Sequence, residues 1–165
     1  MLVLLTAAYL HAAESPLITA VKNSDIATVR RLLQQGVAVN VSETDGTTAL
    51  HRAVESNNPE TVRLLLKAGA DAKRANRYGM TPLHLAANNG NVAVMRDLLE
   101  AGANANAVLP EGETVLMTAA RTGSVEAITL LLDRGADVNA QDKFYGESAL
   151  MWAAAQNHDE AVRIL

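Results

Sequence analysis

The stretch Thr81-Pro82-Leu83-His84-Leu85-Ala86-Ala87-Asn88-Asn89-Gly90 decides how the chain is to be read, because its opening returns at a fixed distance. Ser15-Pro16-Leu17-Ile18, Thr48-Ala49-Leu50-His51, Thr114-Val115-Leu116-Met117 and Ser148-Ala149-Leu150-Met151 are the other copies, and the five starts lie 33, 33, 33 and 34 residues apart. Two glycine series keep the same phase. Gly36, Gly69, Gly102 and Gly135 form one, while Gly46, Gly79, Gly112 and Gly146 each stand two residues before a Thr or Ser. Three markers in step over most of the chain are the signature of a stacked repeat.

Each unit reads as two short helices and a loop. Ser or Thr at the start is a natural N-cap, since its hydroxyl can accept from a free N–H of the first turn. Pro16 and Pro82 follow at the first helical position, where a missing N–H costs nothing. Gly90 and Gly123 close this helix. The second helix carries apolar residues at Val62, Leu65, Leu66 or Ile128, Leu131, Leu132, the spacing of an amphipathic helix. It stops at Gly69 or Gly135, and a loop of about ten residues leads to the next unit.

The segment from Thr81 to Gly90, with Leu130-Leu131-Leu132-Asp133-Arg134-Gly135-Ala136-Asp137-Val138-Asn139-Ala140, resembles the ankyrin repeat family, and is similar to its bacterial-type members. The resemblance covers residues 15–165 as units starting at 15, 48, 81, 114 and 148. It implies an all-α solenoid: an antiparallel helix pair per unit, with β-hairpin or loop fingers projecting at right angles and the pairs stacked into a curved slab. Unit one departs from the pattern at Ile18 and Ser24, as a terminal unit does. Thirty-three residues before Gly36 stands Val3, so the stack is expected to begin at Ser15. The last unit is incomplete at Leu165 and leaves Val162, Ile164 and Leu165 without a polar cap, so the native chain is expected to continue. The 34-residue interval arises from one extra residue between Asn139 and Gly146, within a finger.

Composition agrees. Of 165 residues, 49% are hydrophobic but only 3% aromatic, which fits close-packed small helices built from Ala, Leu and Val. Cysteine is absent, which excludes disulfides and thiolate metal sites. Net charge is −4 and no dense basic stripe occurs, so nucleic acid is not an expected partner. Residues 1–13 stand apart. Leu2–Leu10 is apolar but too short to span a bilayer, and small residues at Ala12 and Ala13 precede polar Glu14. This is the pattern of a secretory signal peptide and predicts export to the periplasm or the medium. No basic residue precedes the run, however, and His11 stands where a small residue is expected. An apolar helix covering the first unit, in a cytoplasmic protein, is the other reading.

No constellation supports catalysis. His51 and His84 occupy the fourth position of the helix start, where the resemblance implies a structural hydrogen bond between units. Met117 and Met151 replace them further on, which breaks any metal ladder. Asp71, Asn104 and Asp137 share a turn position suited to satisfying loop backbone. Glu111 and Glu113 flank Gly112 but sit at a solvated fingertip, with nothing to split their pKa values. Phosphate-binding glycine loops and nucleophile elbows are lacking. The expectation is a non-enzyme without metal or cofactor.

Function is then expected on the exposed concave slots, which the resemblance assigns to the fingers and the outer positions of each first helix. In unit two these are Thr44, Asp45, Thr47, Arg52 and Glu55. Unit three gives Arg77, Tyr78, Met80, Leu85, Asn88 and Asn89; unit four gives Pro110, Glu111, Glu113, Thr118, Arg121 and Thr122; unit five gives Phe144, Tyr145, Glu147, Trp152 and Gln156. Outside the leader, every aromatic residue falls in these slots, and Trp, Tyr and Arg dominate interface hot spots. The protein-binding set is therefore Arg77, Tyr78, Met80, Leu85, Asn89, Glu111, Glu113, Arg121, Phe144, Tyr145 and Trp152, on a monomeric protein-interaction module whose partner is another protein. A non-catalytic targeting or regulatory segment of a larger enzyme or secreted effector is the alternative. A plain structural spacer is a third. For Trp152, packing against a following unit is an equal alternative to binding.

Overall fold

The computed structural model describes residues 15–165; the expectation for residues 1–13 lies outside this range. Within it the chain forms α1 (Pro16–Lys22), α2 (Ile26–Gln34), α3 (Ala49–Glu55), α4 (Pro59–Lys67), α5 (Pro82–Asn88), α6 (Val92–Glu100), α7 (Val115–Thr122), α8 (Val125–Asp133), α9 (Ala149–Ala155) and α10 (Asp159–Ile164). Consecutive helices pair, and the pairs stack in two layers. Odd-numbered helices pack on odd ones and even on even, in chain order. This is the all-α solenoid that the resemblance implies.

The inner layer is held by small residues. Ala49, Ala53, Ala86, Ala87, Ala119, Ala120, Ala149 and Ala153 are buried, so neighbouring inner helices approach closely. Larger side chains fill the space between layers: Leu50, Leu83 and Leu116 from the inner helices meet Val62, Leu65, Met95, Leu98, Ile128 and Leu131 from the outer ones. Ten short helices, none longer than nine residues, could not persist alone. Packing of the shared core holds them.

The caps follow the sequence in part. Thr48, Thr81 and Thr114 each accept through the side chain from the backbone N–H three residues on. Ser15 and Ser148 occupy the same position but make no side-chain cap bond, which corrects the expectation for those two units. Four of the five outer helices are capped independently, by Asp25, Asn58, Asn91 and Ser124, while His158 before α10 makes no side-chain cap bond.

Of the two finger forms that the resemblance implies, hairpin or loop, the structure has the loop. Only isolated bridges occur among the described residues, at Ser42–Thr48, Val108–Thr114 and Gln141–Ser148. Each finger, numbered by the unit it leads into, is a tight loop closed by a backbone bond: Glu43 N–H to the Thr47 carbonyl in finger two, Asn76 to Met80 in three, Leu109 to Glu113 in four and Asp142 to Glu147 in five; in fingers two to four the glycine N–H donates back to the carbonyl of the first residue of each pair as well. The last loop holds one residue more than the others, so the insertion does lie in the fifth finger.

Candidate functional site

The finger tips stand beside one another along the stack, and their attachment alternates. The Arg77 N–H donates to the Asp45 carbonyl at 2.7 Å, and the Arg77 guanidinium donates to the Thr44 carbonyl at 2.6 Å. One junction further on, the residue in register is Pro110. Two junctions on it is Lys143, whose N–H donates to the Glu111 carbonyl at 2.9 Å and whose ammonium donates to the Pro110 carbonyl at 2.8 Å. Proline has neither donor. Fingers two and three are therefore tied, as are four and five, while three and four meet through the Pro110 ring against Gly79.

Two tips carry the aromatics and are pinned from within. The Asn76 side-chain oxygen accepts from the N–H groups of Tyr78 and Met80, both at 3.0 Å. In register with it, Asp142 accepts from Phe144 and Tyr145 at 2.8 Å and from Glu147 at 3.2 Å. The Tyr145 N–H, followed by that of Phe144, holds the Asp142 carboxyl below its ordinary range. Leu109 occupies this register in finger four and offers no acceptor. Asn76 and Asp142 are positioning residues that the sequence reading missed; their signal was an Asn or Asp two residues before an aromatic in a glycine-bearing turn.

The rings themselves point to solvent. Tyr78 is 64% exposed, Phe144 71% and Tyr145 85%. Arg77, Glu111 and Arg121 are also exposed, and Met80, Leu85 and Glu113 are half-buried on the same side. Trp152 is half-buried and packs on the core, so it is not a free ring. Asn89 is exposed, but its amide donates to the Val54 carbonyl at 2.9 Å and so helps close the end of α3. Two slots expected to be exposed are buried instead. Thr47 is turned inward beside the Thr48 cap. Thr118 lies under the fourth finger, donating to the Glu113 carboxylate at 2.8 Å.

The two histidines are buried, and they differ. In His51, Nδ1 accepts from the Thr48 hydroxyl at 2.8 Å, and Nε2 donates to the Met80 carbonyl of the next unit at 3.0 Å. Burial pushes its pKa down, and the ring works as the structural link that the resemblance implies. His84 repeats the first bond, to Thr81 at 2.8 Å, but its buried Nε2 has no hydrogen-bond partner. The Glu113 carbonyl, the counterpart of Met80's, only partly offsets the burial that pushes this ring down to about 4. The inter-unit link is a well-formed hydrogen bond in His51, whereas in His84 the Glu113 carbonyl faces the ring outside good hydrogen-bond geometry.

A polar cluster marks the second unit. Glu43 accepts from Lys22 at 2.6 Å and from Arg52 at 2.8 Å, and Arg52 also reaches Glu55. Partial burial raises the Glu43 carboxyl, but the two cations outweigh this and hold it low. A hollow of about 460 Å³ lies at the first unit between Pro16, Leu17, Val37 and Val41; it includes Thr44 of the expected slots but no residue of the protein-binding set. No group of His, Cys, Asp and Glu that could hold a metal occurs among the described residues.

A family model described as ankyrin repeats (3 copies) matches residues 4–76, 64–142 and 83–165. No curated protein matches the chain.

Proposed function

The chain belongs to the ankyrin repeat family, whose members are generally non-catalytic protein-interaction modules, and from that premise we propose that it binds a partner protein through the concave face of fingers and inner helices. The observation that carries this reading is the pair of pinned aromatic tips. Tyr78, Phe144 and Tyr145 are exposed rings on loops whose backbones are fixed by Asn76 and Asp142. Fixing the loop in advance lowers the ordering cost of binding, and exposed rings together with Arg77 and Arg121 have the composition of an interface hot spot.

The surrounding charge favours a protein. Arg77, Arg121, Glu111 and Glu113 give a mixed-sign surface, whereas nucleic acid calls for a dense basic one. Among the described residues no helix is long and apolar enough to cross a membrane. A photo-crosslinking residue in place of Phe144 tests the reading, with Thr129 on the outer layer as the reference position. Partner adducts at position 144 and not at 129 support it; equal yields, or adducts at 129 alone, contradict it.

Export is a separate proposal resting on Leu2–Leu10. The family match begins at residue 4, inside that run. Mass spectrometry of the mature amino terminus separates the two readings: a chain beginning near Glu14 supports export, and one beginning at Met1 opposes it.

A further inference from the structure

The same register position on the inner helices carries Arg52, Leu85, Thr118 and Trp152 in successive units. Thr118 is the smallest of the four. It lies at the one finger junction, between three and four, where Pro110 removes both cross-finger donors. A cavity of about 190 Å³ opens there on the concave side. This is well below the roughly 300–1,000 Å³ of a small-molecule site, and it suits one inserted side chain.

Its apolar lining is Met80 on finger three, Leu85 on α5 and Leu109 on finger four, with His84 and Asn88 beside them. Its polar groups are of both kinds. Arg121 donates to Asn88 at 2.9 Å and pairs with no carboxylate among the described residues, which leaves guanidinium N–H groups to offer. The Glu113 carboxylate is steadied by Thr118 through one oxygen, and a carboxylate has further lone pairs to accept with. Arg121 and Glu113 together carry no net charge.

We propose that this cavity takes the carboxamide side chain of a glutamine or asparagine from the partner protein, with its methylenes against Met80, Leu85 and Leu109. An amide presents an acceptor to Arg121 and a donor to Glu113 at once. A carboxylate tip meets Glu113 as a like charge, and an ammonium tip meets Arg121 in the same way. The inference rests on the concave-face reading for the source of that side chain, but the cavity's preference can be measured without the partner.

The test is an amide-proton and nitrogen NMR titration of the full chain with propionamide, propionate and propylammonium, following the backbone signals of Leu85, Thr118 and Arg121. The expected result is a saturable shift with propionamide, weaker or absent with the two ions. Thr118→Leu fills the cavity with the residue that unit three already carries at this register, and it should abolish the response. Arg121→Met, at an exposed side chain, should weaken it without touching the core. No saturable shift with any probe, equal shifts with all three, or a response unchanged in Thr118→Leu overturns the proposal. A failed titration beside position-specific crosslinking at Phe144 would reject the carboxamide pocket and leave the binding face standing.

Discussion

A Cβ placed on Gly79 would lie 2.6 Å from Cδ of Pro110, so the third and fourth fingers touch ring to backbone where their neighbours are joined by hydrogen bonds. Gly79 also has φ +77°, a left-handed conformation that costs an L-residue about 1–2 kcal/mol. Gly90 has φ +66° with open space around its Cβ position. Gly90→Ala should therefore lose only that backbone cost, about 1–2 kcal/mol in urea denaturation, and Gly79→Ala distinctly more. Equal losses would show that the Pro110 contact yields freely.

Pro110→Ala tests the same junction from the other side. It supplies the N–H that Arg77 and Lys143 have at this register, aimed at the Tyr78 carbonyl. The new amide at position 110 should exchange with solvent as slowly as those of Arg77 and Lys143. Fast exchange at 110 would mean that the fingers are held apart by more than the missing donor.

Asp142→Ala should free the fifth finger and leave the stack intact. The carboxylate accepts from three N–H groups at the fingertip, so exchange at Phe144, Tyr145 and Glu147 should accelerate while Tm changes little. Because the folded carboxyl is held below its ordinary value of 3.8, its contribution is complete at neutral pH. It fades as pH falls through the depressed value. Unaltered protection at these three amides in the variant would remove Asp142 as the positioning residue.

The repeat fold was legible because period, caps and apolar spacing all point to one architecture. The fingers were less so. A 33-residue period locates a loop but not its pairing, and short loop bonds such as Asn76 to Met80 and Gly79 to Asn76 replace hairpin ladders without any sign in composition. Slot counting placed Tyr78, Phe144 and Tyr145 correctly on the surface. It misplaced Thr47 and Thr118, whose side chains are short enough to turn under a finger, where the Thr118 hydroxyl finds Glu113 and the Thr47 N–H finds the Asp45 carboxylate. The two histidines looked alike because the sequence shows the Thr-x-x-His pair but not where the next unit's carbonyl falls.

That difference sets a pH dependence. The unfolded His84 ring gains its proton near pH 6.5, the folded one only near 4. Above pH 6.5 this group imposes no penalty. Between 6.5 and 4 the unfolded state binds more protons, so stability falls with pH, and below 4 the loss is complete. At about 1.4 kcal/mol per tenfold change in proton affinity, the total is about 3 kcal/mol. His84→Met, which copies Met117 and Met151 at the same position, should flatten that part of the stability curve measured by urea melts from pH 7 to 4. His51, also depressed by burial, keeps its own share. An unchanged slope in the variant would rule out His84 as the source.

The most direct measurement is the affinity of a crosslinked partner, once isolated, for the wild-type chain and for the triple variant Tyr78→Ala, Phe144→Ala, Tyr145→Ala. These rings are solvent-exposed, so the variant should melt like the parent; half-buried Trp152 is left in place for that reason. Loss of hot-spot rings worth about 2 kcal/mol or more predicts at least a roughly thirtyfold rise in Kd. An unchanged Kd for a fully folded variant would contradict the assignment of the aromatic fingers as the binding surface.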